Sequence, residues 1–240
     1  ALPSGMTFAP GTPGNGLLSG TPAVGGAGTY AITFTASNGT APNAVQNFTL
    51  TVNPASTTTA LTSATNPSVF GQSVTFTATV TPQGSGVPAG TVTFNDGATA
   101  ICSNVALDGS AQATCTTSSL STASHSMTAV YAGNTSFTTS TSAAVSQVVN
   151  KGNTTTAVTS SANPANFAQS VTFSATVSAT APAAGTPSGT VTFKDGATTV
   201  CGPVALVAAV ATCATSTLTV GSHSITVDYA GDTNFNTSTS

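Results

Sequence analysis

The sequence contains an internal duplication, and this feature limits the possible folds more than any other. Short motifs of one segment return in the same order 97 to 99 residues later: Thr57-Thr-Thr at Thr154, Gln72-Ser-Val-Thr-Phe76 at Gln169, Gly90-Thr-Val-Thr-Phe94 at Gly189, and Tyr131-Ala-Gly at Tyr229. The offset grows within the loop that contains Ala181-Pro-Ala-Ala-Gly185, which indicates an insertion in a surface turn. A segment repeated in this way is one structural unit used twice.

Within each copy, apolar and mostly hydroxyl side chains alternate along the chain. The apolar members are Val74, Phe76, Ala78 and Val80 in the first copy, and Val171, Phe173, Ala175 and Val177 in the second. A period of two predicts β-strands with one face directed inward. Further strands are predicted at 92–94, 100–107, 111–117 and 126–131, and Asp96-Gly97 and Asp195-Gly196 are expected in hairpin turns. The predicted class is all-β, with tandem immunoglobulin-like antiparallel β-sandwiches.

Three modules are predicted along the chain. Residues 1–53 lack the repeat but contain predicted strands at 28–36 and 45–52, so we expect the C-terminal half of another sandwich. The first repeat is expected at 54–150 and the second at 151–240, with short, semi-rigid joints between modules. The second copy matches the first only up to Ser142, so we expect it to lack the equivalent of 143–150, the last strand.

The composition excludes several classes of partner. The chain has two Lys and no Arg, whereas binding to nucleic acid or to an anionic membrane surface requires a cluster of cations. The longest apolar stretch, residues 200–214, is shorter than the roughly 20 residues of a spanning helix, so we expect no membrane insertion. Hydroxyls of 50 Thr and 30 Ser supply the solubility that charged residues usually provide.

The four cysteines occupy equivalent positions of the two copies: Cys102, Cys115, Cys201 and Cys213. If Asp108-Gly109 is a two-residue hairpin turn, the first pair stands on opposite positions of adjacent strands, close enough for a disulfide after small adjustments. The spacing of the second pair implies an odd-numbered loop centred on Val207. Two disulfides are therefore predicted, which implies an oxidising, extracellular setting. We expect no zinc site, because such a site needs four ligands in one place.

The sequence predicts no catalytic or cofactor-binding constellation. His125 and His223 stand at equivalent strand starts, where we expect a hydrogen-bonding role, and no Gly-x-Ser-x-Gly elbow precedes them. Asp228 corresponds to Val130, so no acid partner is expected to recur with the histidine. The Asp residues do not cluster as a calcium cage requires, and Asp232 with backbone carbonyls is the remaining candidate. We expect no enzymatic activity, no cofactor and no bound metal.

Five Asn-x-Ser/Thr sequons are present, at Asn38, Asn47, Asn134, Asn153 and Asn236. In a secreted chain such asparagines are accessible to glycosylation. Because Ser, Thr and Asn are abundant, some of these sequons are expected by chance. The five asparagines are candidate modification sites.

The recurring motifs resemble a known family. Asn-Pro, Gln-Ser-Val-Thr-Phe, Gly-Thr-Val-Thr-Phe-x-Asp-Gly and Tyr-Ala-Gly, in this order, are similar to the bacterial immunoglobulin-like repeats of large surface proteins, over 54–240. Leu2-Pro-Ser-Gly-Met-Thr-Phe8 and Gly28-Thr-Tyr30 resemble the C-terminal half of another immunoglobulin-like family of bacterial exoproteins. The resemblance implies a fold and an extracellular or cell-surface location, with stalk, spacer or adhesive roles, and it implies no ligand.

Three functions are compatible with these features. The first is a stalk or fibre segment, whose partners are neighbouring copies or domains of the same protein. The second is a loop-mediated binding module for proteins or for host or surface glycans, although Trp is absent and Tyr131 and Tyr229 are expected to point inward. The third is a non-catalytic appendage of a secreted hydrolase.

The end of the second copy leaves two alternatives open. Either the sequence is cut there, or a strand from a neighbouring chain completes the sheet and joins subunits into filaments.

Overall fold

The computed structural model describes residues 1–11 and 15–240. These residues form two compact units. The first unit contains Ala1–Thr62, Phe76–Cys115 and Met127–Val145, and the second contains Ser63–Thr75, Thr116–Ser126 and Ser146–Ser240. The second unit therefore combines the second repeat with one end of the first.

Every regular element among the described residues is a β-strand. Before and within the first repeat these are β1 (Met6–Pro10), β2 (Gly16–Gly20), β3 (Gly28–Ala36), β4 (Ala44–Val52), β5 (Thr57–Ser63), β6 (Ser68–Val69), β7 (Val74–Pro82), β8 (Thr91–Asp96), β9 (Thr99–Ala106), β10 (Gln112–Thr117), β11 (Ser124–Tyr131), β12 (Ser140–Thr141) and β13 (Val145–Asn150). The second repeat contains β14 (Thr154–Ser160), β15 (Val171–Ala179), β16 (Thr190–Asp195), β17 (Thr198–Ala205), β18 (Val210–Thr215), β19 (Ile225–Tyr229) and β20 (Ser238–Thr239).

The residues before the first repeat form two antiparallel ribbons. β1 pairs with β2, and β3 pairs with β4 along its whole length. β3 and β4 coincide with the strands expected at 28–36 and 45–52. The Phe34 ring contacts the rings of Phe8 and Phe48, with centroids 5.2 and 6.5 Å apart. This aromatic cluster links the two ribbons.

The first repeat is a sandwich of two sheets. One sheet has the order β10-β7-β5, and the other has the order β6-β13-β11-β8-β9, with β12 paired to β11. The inward side chains that the alternation predicted in β7 are buried, with exposed fractions of 1% for Val74, 0% for Phe76 and Ala78, and 2% for Val80. Phe94 and Tyr131 of the other sheet are fully buried as well. The prediction of an all-β sandwich is confirmed.

The second repeat has the same architecture. Its sheets have the orders β14-β15-β18 and β17-β16-β19-β20. Phe173, Phe193, Tyr229 and Phe235 belong to one buried apolar cluster. The same inward positions therefore form the core in both copies.

Both disulfides are present, but they connect the two sheets of a sandwich instead of neighbouring strands. Cys102 is bonded to Cys115 and Cys201 to Cys213, each with a Cα–Cα distance of 6.0 Å. β9 pairs with β8, whereas β10 pairs with β7 in the other sheet. The cysteine pairing was predicted, and the hairpin on which that prediction rested is wrong.

The loop around Asp108 crosses between the sheets because the aspartate shapes it locally. The Asp108 carboxylate accepts hydrogen bonds from the backbone N–H groups of Ser110 and Gln112 at 2.8 and 2.9 Å. Such bonds offer the backbone an alternative to a strand ladder. The chain does turn tightly here, since the Asp108 N–H donates to Gln112 O at 2.8 Å and the Ala111 N–H donates to Asp108 O at 3.0 Å. The flanking strands β9 and β10 belong to different sheets, so the connection is an arch and not the expected hairpin.

The corresponding loop of the second repeat is a tight two-residue turn. The backbone N–H of Val207 donates to Val210 O at 2.8 Å, and that of Val210 donates to Val207 O at 3.0 Å. The expected odd-numbered loop centred on Val207 is therefore wrong. Ala208 and Ala209 have φ angles of 49° and 65°. Two successive residues with positive φ define a type I′ turn, which usually contains Asn-Gly because other side chains are strained there.

This strained turn leads to a stability prediction. Ala209→Gly removes a left-handed alanine that costs about 1–2 kcal/mol, and the added flexibility of the unfolded chain offsets part of the gain. We expect a net stabilisation of about 0.5–1 kcal/mol in urea unfolding. Ala214→Gly, in the regular part of β18, is the matched control and should destabilise instead, because glycine weakens a strand. An equal loss of stability in both variants would contradict the assignment of strain to Ala209.

Candidate functional site

A packed apolar joint lies within the second unit, between the end of the first repeat and the second repeat. The rings of Phe70 and Phe235 meet edge to face, with centroids 5.6 Å apart. The backbone N–H of Ala184 donates to Phe70 O at 3.2 Å, and the Thr122 hydroxyl donates to Thr233 O at 3.0 Å. Apolar contact and hydrogen bonds together stabilise this joint.

Glycines allow this close approach. Gly71 has φ +76°, and a Cβ there would overlap the carbonyl oxygen of Ala184. Gly185 has φ +123°, and its missing Cβ leaves room for the rings of Phe70 and Phe235. The insertion around Ala181–Gly185, expected only as a surface turn, therefore also supplies joint contacts.

The first unit contains a corresponding contact. A Cβ at Gly86 would overlap the side chain of Val24 and would lie 3.5 Å from the Phe137 ring. The backbone N–H of Gly25 donates to the Ser136 hydroxyl at 2.6 Å. Gly86 and Phe137 occupy the positions that Gly185 and Phe235 occupy in the second repeat. We call each glycine–phenylalanine pair a socket. Phe70 packs in the socket of the second repeat, whereas Val24 lies against that of the first and stays 57% exposed.

A groove of about 770 Å³ opens in the second repeat. Its lining includes residues 162–169 on one side, 218–223 on the other, and Val158, Phe173 and Ile225 between them. Two apolar side chains of the lining are largely exposed, Phe167 at 75% and Val220 at 86%. The corresponding place in the first repeat is filled by β13, which lies between β6 and β11.

His223 and Asp195 form an ion pair at the start of β19. The His223 Nδ1–H donates to Asp195 Oδ2 at 2.6 Å, and the Nε2 atom lies 2.9 Å from the Thr219 carbonyl oxygen. Since both ring nitrogens face acceptors, the arrangement suits the imidazolium, in which both carry a proton. The hydrogen bond to Thr219 and the one to Asp195 raise the pKa of His223.

This ion pair corrects the view that no acid recurs with the histidine. Asp195 corresponds to Asp96 of the first repeat, as His223 does to His125. The sequence analysis considered Asp228, whose counterpart is Val130, and overlooked the turn aspartate Asp195. Antiparallel pairing of β16 with β19 brings Asp195 close to His223. The sequence did contain a signal for this pair, because the aspartate and the histidine both recur at equivalent positions of the two copies. The expected hydrogen-bonding role of His223 is what the geometry shows.

Asp232 is arranged as a structural acceptor. Its Oδ1 accepts from the N–H groups of Asn234 and Phe235 at 2.7 and 2.8 Å, and its Oδ2 accepts from the N–H and hydroxyl of Ser188 at 2.8 and 2.7 Å. Desolvation raises the pKa of Asp232, but these hydrogen bonds together outweigh it and the pKa is lowered. Four hydrogen-bond donors therefore occupy the two carboxylate oxygens that a calcium ion would need as ligands.

Comparison with known proteins identifies the modules. Residues 61–150 and 158–240 match the family described as "Bacterial Ig-like domain (group 3)", and residues 1–53 match the family described as "Putative Ig domain". The chain belongs to the bacterial immunoglobulin-like family. The resemblance inferred from the sequence motifs is confirmed.

Two solved structures match this chain at low similarity. The fibronectin(III)-like modules of CbhA from Clostridium thermocellum match with 18% identity and a TM-score of 0.30, over 75% of this chain and 92% of that chain. The adhesin InvE of Yersinia pseudotuberculosis matches with 16% identity and a TM-score of 0.36, over 75% of this chain and 57% of that chain. No curated protein matches the sequence significantly.

Tyr131 and Tyr229 point inward as predicted, with exposed fractions of 0% and 2%. In the part of the chain that the structure describes, no group of three His, Cys, Asp or Glu could hold a metal ion. Within the same ranges, 1–11 and 15–240, no helix is long and apolar enough to cross a bilayer.

The five sequon asparagines are all exposed. Asn38 and Asn47 accept hydrogen bonds through Oδ1, from the Thr40 N–H and the Thr33 hydroxyl. The Nδ2 atom of Asn134 donates to Ala89 O, and that of Asn236 donates to Asn153 Oδ1, both at 2.8 Å. Glycosylation replaces one of the two hydrogens on Nδ2, so a modified Asn134 or Asn236 would keep a single N–H for these bonds. Modification of the five asparagines stays a prediction.

The ion pair at β19 leads to a prediction about pH. Because the pKa of His223 is raised in the folded state, its stabilisation is present below the ordinary value of about 6.5 and is lost as the pH rises through the raised pKa. NMR titration of the ring should give a pKa above about 6.5. Asp195→Asn should lower that pKa and weaken the loss of stability toward alkaline pH.

The matched control is Asp228→Asn. The Asp228 carboxylate pairs instead with Lys194 at 2.6 Å and accepts a hydrogen bond from the Thr239 hydroxyl at 2.9 Å. The Asp228→Asn variant should therefore leave the pKa of His223 unchanged. A pKa that does not respond to Asp195→Asn would contradict the assigned ion pair.

Proposed function

We propose that this chain is a stalk or spacer segment of an extracellular bacterial protein with a structural or adhesive role. The observation that carries the proposal is the repeated use of one socket. Phe70 packs at Gly185 with Phe235, and Val24 of the module before lies against Gly86 with Phe137. A surface used in the same way at successive modules serves the connection between them, which is what a spacer requires.

The chemistry of the chain supports this role and location. Each repeat has an inter-sheet disulfide, and disulfides persist in oxidising compartments such as the cell exterior. Immunoglobulin-like and fibronectin(III)-like domains are generally non-catalytic. A surface of Thr and Ser hydroxyls with few ions keeps solubility independent of salt and pH. The partners in this proposal are neighbouring modules or copies of the same protein.

Assembly into filaments by strand complementation is a second candidate, and one observation favours it. The groove of the second repeat is lined by Ile225 at the start of β19, and the equivalent strand of the first repeat, β11, has β13 as its neighbour. Extended polypeptides bind to sheets at such open edges through backbone hydrogen bonds. Electron microscopy of the purified protein at high concentration should show uniform filaments in this case, and isolated monomers would contradict it.

The joint gives a direct mechanical test. Phe70→Ala removes the edge-to-face contact and part of the apolar burial at the joint, a loss of about 1 kcal/mol. We expect the two repeats to reorient more independently, with different rotational correlation times in ¹⁵N relaxation. Phe167→Ala removes the equivalent phenylalanine of the second repeat, which is 75% exposed, and should leave the correlation times unchanged. Equal effects of both variants would contradict a structural joint.

The location can be tested on intact cells of the source bacterium. Brief protease treatment of whole cells should release peptides of this chain, whereas a cytoplasmic marker should stay intact. Protection in whole cells together with cleavage after lysis would overturn the proposed extracellular role.

A further inference from the structure

The buried polar side chains of the repeats are concentrated where the chain enters and leaves a sandwich. In the first repeat the entering segment is 55–69 and the leaving segment is 136–150. Of the residues that the structure describes, these polar side chains are buried: Thr57, Thr59, Ser68, Ser142, Gln147 and Thr156. The first five lie on these two segments, and Thr156 lies on the entering strand of the second repeat. Because a buried hydroxyl adds little stability over an apolar group of the same shape, this placement needs another reason.

The two segments of the first repeat are paired in parallel at their beginning. The backbone N–H of Ala55 donates to Ser136 O at 2.8 Å, and that of Thr138 donates to Ala55 O at 2.9 Å. Ala55 and Phe137 form a parallel bridge. The entering and leaving segments therefore run in the same direction here.

Hydroxyl groups continue this pairing along the first unit. Ser140 Oγ lies 2.8 Å from Thr57 Oγ1 and 2.7 Å from Thr59 Oγ1. A hydroxyl both donates and accepts, so Ser140 serves both threonines at once. β5 belongs to one sheet, and Ser140 begins β12 of the other sheet. These bonds therefore join the two sheets at the entering strand.

The second repeat builds the same arrangement from the equivalent residues. The backbone N–H of Gly152 donates to Asn234 O at 2.8 Å. Ser238 Oγ lies 2.8 Å from Thr154 Oγ1 and 2.7 Å from Thr156 Oγ1. A Thr-x-Thr motif and a serine on the leaving segment recur in both copies, so the hydroxyl cluster is a feature of the module.

A second polar cluster joins the same two segments of the first repeat, within the second unit. β6 pairs in parallel with β13. Gln147 is fully buried, and its Oε1 accepts from the Ser63 hydroxyl at 2.6 Å while its Nε2 donates to Thr65 O at 3.0 Å. The Asn66 Nδ2 donates to Ser146 O at 2.7 Å. Side chains of the entering segment thus hold the leaving segment here as well.

Parallel pairing decides how tension acts on these bonds. Tension along a stalk pulls the entering segment toward the preceding module and pulls the leaving segment the opposite way. Because the two segments run in the same direction, they are sheared past each other and their bonds are stretched together. Apolar contacts are non-directional and tolerate sliding, whereas hydrogen bonds weaken steeply once their geometry is lost. Buried hydroxyls at this place therefore resist sliding in a way that apolar side chains would not.

We propose that the hydroxyl cluster of Thr57, Thr59 and Ser140, with its counterpart in the second repeat, is a shear lock that lets each module carry tension along the chain. The lock rests on the proposed stalk role and deepens it, because it names pulling as the load that the stalk transmits. It also explains why hydroxyls occupy buried positions on the strands that tension reaches first.

A triple variant separates the shear lock from ordinary stability. Thr57→Val, Thr59→Val and Ser140→Ala together remove the hydroxyls and leave none of them without its partner, so the free energy of unfolding in urea should change little. With the full chain held by its two ends in optical tweezers, unfolding of one repeat at constant force should become about tenfold faster. The control, Thr75→Val with Thr116→Val, removes an exposed hydroxyl pair at 2.9 Å and should leave this rate unchanged.

The direction of pulling gives a test that needs no change in the lock itself. Handles on Pro54→Cys and Thr135→Cys would pull the same two segments apart from one end, so that their bonds break one after another. The native cysteines are paired in disulfides, which leaves the new thiols for attachment. The force needed to unfold the first repeat should be lower in this direction than between the chain ends.

An unchanged rate of forced unfolding in the triple variant would overturn the shear lock. An equal acceleration in the control variant, or equal forces in the two pulling directions, would overturn it too. These measurements use the isolated chain, whereas protease treatment of whole cells and the Phe70 joint test the stalk role. Failure of the lock and failure of the stalk role are therefore distinguishable.

Discussion

The burial of apolar side chains between two sheets is the interaction on which the rest of this structure depends. Phe76 on one sheet and Phe94 and Tyr131 on the other are completely buried, and the second repeat buries the equivalent side chains. With few charges in the chain, ion pairs contribute little at the surface. The disulfides reinforce this contact, because each one joins a strand of one sheet to a strand of the other.

The joints and the groove are consequences of how each sandwich ends. Once the sheets are packed, the loops at one end present Gly86 and Phe137 or their equivalents, and an apolar residue of the preceding module lies there. At the edge beside β11, a strand covers the core in the first repeat. The corresponding edge of the second repeat has an open groove with an apolar floor. The joint at Phe70 combines apolar contact area with a backbone hydrogen bond, which suits connection better than chemistry on a substrate.

Much of the fold could be predicted because its signals are local. The alternation around Phe76 specifies which face is buried, and β3 and β4 were predicted nearly to the residue. The functional contacts were harder to predict. His223 meets Asp195 through strand pairing across a separation of 28 residues, and Phe70 meets Phe235 across a module joint. Such contacts depend on which strands become neighbours, and a local pattern does not contain that information.

The sequence by itself determined the repeated modules, their β-strands and their buried faces, and it showed that the cysteines occupy equivalent positions of the two copies. Only the tertiary structure decided that Cys102 and Cys115 lie on different sheets, that the Asp108 loop is an arch, and that Gly71 serves a joint. The physical reason is that alternation constrains each strand separately. The order of strands in a sheet follows from the packing of all of them at once, since every strand must find both hydrogen-bonding neighbours and a place for its apolar face.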